Sequence, residues 1–130
     1  MMRHGSQIFL AFIALLFTSL TASAQVLPPF SSWVNQRGSS LYVGFVNGNQ
    51  FSGTFINRAS GFQCQGIPYP ANGMVYPNGA VTFVVNFTNC DSVTTWTGQV
   101  KGSQIPTKWI LVYKNKPYMR GTDLFTRQQW

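Results

Sequence analysis

"NGAVTFVVNFTNCDSVTTWTGQVKG", Asn78 to Gly102, holds two runs of β-branched and aromatic residues bounded by Asn-Gly and Lys-Gly turn signals. Such runs, punctuated this way, read as strands, here over 80–87 and 94–101, and no sustained helical periodicity competes with them. Side chains two apart share a face of a strand, so Phe83 lies with Val85 and Phe87, and Ser92 with Thr94 and Trp96. The same texture extends outward in both directions. It predicts further strands near 31–36, 41–46, 51–58, 73–76, 107–114 and 122–128, with turns at Arg37-Gly38, Asn47-Gly48 and Asn115 to Pro117. Eight strands joined mostly by tight turns suit an all-β protein built as an antiparallel up-and-down meander, and closing it into a β-barrel removes the exposed edges that invite aggregation. An eight-stranded barrel has room for packed side chains or one small ligand. The longest connection, Ala59 to Asn72, contains Cys64 and "IPYP" and reads as an ordered loop.

Residues 1–24 have the layout of a secretory signal peptide: Arg3 and His4, an apolar run from Ile8 to Phe17, then Ala22-Ser23-Ala24. The run is too short for a bilayer, which needs about 20 residues. The mature chain is therefore expected to begin near Gln25 and to work in a secreted or periplasmic setting, with no membrane span. Residues 25–130 suit one small domain with a modest core.

In an oxidising compartment a Cys64–Cys90 bridge is the default reading of the two cysteines. Free buried thiols, or half of a metal site, are the alternatives; zinc sites usually recruit more Cys or His ligands. The net charge of +7 includes Arg3, and the basic residues are scattered without a dense run, which suits a solvated surface. Nucleic-acid binding through strand aromatics is the rival reading of that charge, and the export signal argues against it.

The inventory also disfavours an enzyme. The only side-chain carboxylates are Asp91 and Asp123, there is no Glu, and the one histidine, His4, falls in the removed segment. Triads, zinc sites and paired carboxylates have little to work with. Asp91 and Asp123 could pair as glycosidase acids, but Asp91 follows Cys90 in a loop.

Trp33 shares a face with Asn35, and Phe55 with Asn57. Faces that mix rings with amides and hydroxyls suit a pocket that stacks against a ligand and hydrogen-bonds its polar end. The other reading is that the polar groups face solvent and the aromatics belong to the opposite side of the sheet.

Five ordered motifs, "WVNQRGS" (33–39), "GTFINRA" (53–59), "SVTTWTGQ" (92–99), "TKWIL" (107–111) and "GTDLFT" (121–126), resemble the avidin and streptavidin family over nearly all of the mature chain. The resemblance implies an eight-stranded barrel that binds biotin at one open end, without catalysis, metal or cofactor. It implies that Asn35 and Ser39 donate to the ureido oxygen of biotin, and that Asn57 and Asp123 face its N–H groups. Thr94 would contact the ring sulfur and Ser92 the carboxylate, with Phe83, Trp96 and Trp109 forming an aromatic wall. Phe55 stands where the family usually has a tyrosine donor, so one hydrogen bond to the ureido oxygen is expected to be missing. This leaves a second possibility, a barrel of weakened biotin affinity that takes another small ligand. Asn57 replaces the usual serine or threonine. No tryptophan lies between Trp109 and Asp123 to lid a neighbouring subunit's site as in tetrameric members. With "NRASGFQCQGIPYP" and "TNCDS", this resembles the rhizavidin-like subgroup and implies a homo-oligomer, a dimer rather than a tetramer. There the Cys64–Cys90 bridge would tie the loop after the third strand to the loop before the sixth.

Overall fold

A computed structural model of the chain describes residues 26–129. The expected signal segment lies outside them. Eight antiparallel strands close into a barrel in simple sequence order: β1 (Ser31–Asn35), β2 (Ser40–Asn47), β3 (Gln50–Ile56), β4 (Pro68–Val75), β5 (Ala80–Phe87), β6 (Ser92–Gln99), β7 (Gln104–Tyr113) and β8 (Lys116–Arg127). β1 closes the ring on β8 through Trp33 opposite Arg127 and Asn35 opposite Phe125. No strand is left with a free edge along its whole length, which is the physical return on the meander.

The strands at 80–87 and around 94–101 form where the sequence places them, the second two residues earlier. Two starts differ more. β4 begins at Pro68, so the last five residues of the expected loop are strand. β5 reaches β4 only from Ala71 onward, so Pro68 and Pro70 lie where β4 has a neighbour on one side, the position at which a strand tolerates proline. β8 begins at Lys116, six residues ahead of the expected 122. Lys114 and Asn115 make the turn alone, both with positive φ (50° and 65°), the conformation of a two-residue hairpin whose twist matches its strands.

The inward faces pack into one core. Trp33, Phe55, Phe83 and Phe125 are essentially inaccessible, with Leu41, Val43, Val85 and Ile105 around them. The rings meet mostly edge to face: Phe55 with Phe125 at 6.5 Å, Phe83 with Phe125 at 5.8 Å and Phe55 with Phe87 at 6.1 Å between centroids. This packing fills the barrel from its middle toward one end and leaves the other layer for polar groups.

The loop between β3 and β4 is held by its own bonds. Gly66 N–H donates to Asn57 O, and the Gln65 amide donates to Ala59 O and Phe62 O. Cys64 and Cys90 form a disulfide between residues 26 apart in sequence, tying this loop to the 3-10 turn Thr88–Cys90. Tyr69 Oη donates to Asn89 Oδ1 beside the bridge. Closing a loop of that size restricts the unfolded chain and stabilises the fold by about 3 kcal/mol in the chain-entropy model. The double substitution Cys64→Ala, Cys90→Ala is therefore expected to lower the unfolding free energy by about that amount, read from the guanidinium midpoint. An unchanged midpoint would mean that the loop's internal hydrogen bonds suffice.

Candidate functional site

The odd-numbered strands finish, and the even-numbered ones begin, at one end of the barrel. The loops at that end surround a cavity of about 260 Å³, the scale of a small-molecule site. Asn35 and Ser39 enter it from the β1–β2 turn, Phe55 and Asn57 from the end of β3, and Ser92, Thr94 and Trp96 from β6. Trp109 comes from β7 and Asp123 from β8.

Asp123 is the electrostatic centre. Its backbone is fixed opposite Thr107, whose hydroxyl donates to Asp123 O at 2.8 Å. Its carboxylate is 4% exposed and accepts four N–H bonds. Trp96 Nε1 (2.9 Å) and Asn35 Nδ2 (3.2 Å) donate to Oδ2; Gln36 Nε2 (3.0 Å) and Arg37 Nε (3.0 Å) donate to Oδ1. A buried carboxylate without such partners would cost several kcal/mol. Four donors, one of them a cation, hold it in place and offset its burial.

The second polar group is built around the β1–β2 turn. Asn35 Oδ1 accepts from the backbone N–H of Arg37 and of Ser39, which fixes the amide so that its Nδ2 faces Asp123. Ser39 Oγ accepts from Arg58 N at 2.8 Å and donates to Asn57 Oδ1 at 3.3 Å. The amide of Asn57 is oriented in turn by the loop: Oδ1 accepts from Ala59 N and Nδ2 donates to Gln63 O. The result is a hydroxyl free to rotate beside an acceptor whose direction is fixed.

An aromatic floor lies under these groups. Trp96 sits against Phe55 (4.7 Å) and stacks on Phe83 (4.9 Å, 11° between planes). Phe83 corrects the sequence expectation, since it is fully buried and does not line the cavity. Phe83 and Trp96 are opposite each other on β5 and β6, and the larger indole covers the phenyl ring, so Phe83 backs the wall that Trp96 presents. The other nine expected positions all reach the cavity.

Several lining residues escape the sequence reading. Phe62, on the disulfide-tied loop, packs edge-on against Trp109 at 6.2 Å and extends the apolar wall toward the mouth. Phe87, Leu111, Tyr113 and Tyr118 continue it on the far side. Arg37 was one of the scattered surface cations; it lines the cavity, pairs with Asp123, and its Cζ lies 5.7 Å from the centre of the Trp109 ring. Its position two residues after Asn35, inside "WVNQRGS", was the only available signal.

Comparison with known proteins gives one answer. A family model described as the avidin family matches residues 23–128. Afifavidin from Afifella pfennigii is 42% identical over 74% of this chain and 67% of its own length. Among solved structures, the bradavidin2–biotin complex is 50% identical with a TM-score of 0.74, covering 79% of this chain and 100% of that one. Apo shwanavidin is 38% identical with a TM-score of 0.73, covering 79% and 98%.

Gly121 explains how Trp109 fits. A Cβ added there would lie 2.6 Å from the indole Cζ2, so only glycine on β8 lets the ring lie flat against the strand. The indole N–H of Trp109 has no hydrogen-bond partner, the one such buried side-chain atom among the described residues. Gly121→Ala is expected to push the ring into the cavity and to cost about 1–3 kcal/mol of stability through overpacking. Denaturant unfolding with tryptophan fluorescence reads both effects; unchanged fluorescence would show that the indole has room to shift elsewhere.

Proposed function

The chain belongs to the avidin family, and from that premise we propose that its cavity binds biotin, with high affinity and without catalysing a reaction on it. The observation that carries this reading is the buried Asp123 carboxylate at the wall of an aromatic-floored cavity of small-molecule size. Biotin presents a ureido carbonyl that needs donors, two ureido N–H groups that need acceptors, an apolar ring and a distant carboxylate. In this reading Ser39 Oγ and the second N–H of Asn35 Nδ2 donate to the carbonyl. Turning the Ser39 hydroxyl toward the ligand releases Asn57 Oδ1, which then accepts one ureido N–H in its place. Asp123 accepts the other. An ionised acceptor makes the stronger hydrogen bond and polarises the ureido group toward an oxyanion, which strengthens the donors' grip on its oxygen. Trp96, Phe55 and Trp109 hold the bicyclic ring, Thr94 meets its sulfur, and Ser92 lies toward the tail.

Two features of the lining support the non-catalytic reading. Its one carboxylate is fully engaged by donors, and the cysteine on its wall, Cys90, is in a disulfide. We further propose that the protein is exported and processed near Gln25, which suits a chain whose loop depends on a disulfide. A dimer is the assembly we favour, because the loop carrying Phe62 supplies from the same chain the aromatic cover that a tetrameric relative borrows from its neighbour.

Calorimetric titration with biotin, with the mass in solution recorded alongside, tests the reading: saturable binding of one biotin per chain is expected, and no heat at micromolar concentrations would reject it. Phe55 is 1% exposed and lines the cavity without a polar atom. Phe55→Tyr restores a donor toward the ureido oxygen and is expected to tighten binding by about ten- to a hundredfold, the value of one hydrogen bond of about 1–3 kcal/mol. No gain would place the ureido group elsewhere.

A further inference from the structure

We propose that Arg37 is a built-in competitor for the ligand's place on Asp123, and so a residue that sets affinity at this site. The inference rests on the biotin reading above. A carboxylate offers about four lone-pair sites. In Asp123 all four are used by protein donors, two on each oxygen. A ureido N–H can be accepted fully only where one of these donors withdraws.

Three of the four are pinned. Trp96 is 4% exposed and sandwiched between Phe55 and Phe83. Asn35 is 6% exposed, with its oxygen held by two backbone N–H groups. Gln36 does not line the cavity, and its amide is also bonded to Thr122 O and Leu124 N.

Arg37 alone is positioned to leave. Its side chain is 37% exposed and lines the cavity, and the Nε bond to Asp123 is its single side-chain hydrogen bond among the described residues. The guanidinium rests on the face of Trp109, so it spans the path between the aromatic wall and the carboxylate. The arginine side of this pair reaches water while the carboxylate is buried, so the guanidinium is rehydrated as it leaves and salt screens the pair in part. Arg37 is therefore the donor that withdraws, and the cost of breaking its bond subtracts from ligand affinity. When the guanidinium swings outward, Oδ1 keeps its bond from Gln36 and gains a free lone pair for the ureido N–H.

The test compares the wild-type protein with Arg37→Met, which keeps an apolar stem over Trp109 and removes the competing charge. Both are titrated with biotin and with biotin methyl ester, whose neutral tail removes long-range attraction to the arginine. Arg37→Met is expected to bind the ester about two- to tenfold more tightly than wild type at low salt. The difference is expected to narrow as sodium chloride is raised from about 0.05 to 1 M, because salt weakens the pair in the wild type only. Equal or weaker binding of the ester by Arg37→Met, with biotin still bound by the wild type, overturns the inference alone. Absence of binding in both proteins removes the biotin reading and this inference together.

Discussion

The site depends on keeping one negative charge inside a barrel. Asp123 is removed from water, and only the convergence of Trp96, Asn35, Gln36 and Arg37 on its two oxygens makes that tolerable. Those donors come from β6 and from the end of β1 with its turn, while the carboxylate is on β8. They meet only because β1 pairs with β8 and the sheet is closed. Ring closure is therefore a condition of the chemistry as much as of stability. An open sheet with the same sequence would leave Asn35 and Asp123 on opposite edges.

Around that charge the fold divides its labour by layer. The deep layer is dry and aromatic, with Phe125, Phe83 and Phe55 packed edge to face beneath Trp96. The upper layer is polar and oriented by backbone groups: two turn N–H groups aim Asn35, and the β3–β4 loop aims Asn57. The disulfide and the Tyr69–Asn89 bond fix that loop before any ligand arrives, which lowers the ordering cost of binding. A ligand with rings below and a cyclic urea at its edge matches both layers at once.

Much of this is visible in the residues alone, and the limits are physical. The strand at 80–87 is recovered at both ends because its alternation is unbroken. The starts of β4 and β8 are hidden by Pro68, Pro70 and Pro117, since proline signals a break and says nothing of whether a neighbouring strand requires its missing N–H. Strand periodicity assigns a face but not a depth, so Phe83 looks like a wall residue when it is one layer below. Arg37 is hidden for a different reason. Its partner is 86 positions away, and a cation beside a turn looks like surface until the barrel closes. The resemblance to avidins supplied roles for Asn35, Ser39, Asn57 and Asp123 that periodicity could not.

The central claim is that the Asp123 carboxylate accepts a ureido N–H of biotin from inside the barrel. A crystal structure of the biotin complex measures this directly. The expected result is a ureido nitrogen within about 2.7–3.2 Å of an Asp123 carboxylate oxygen, with the bicyclic ring on Trp96 and the tail toward Ser92. A ligand seated with its tail inward, or a ureido group bonded only to water, would contradict the account.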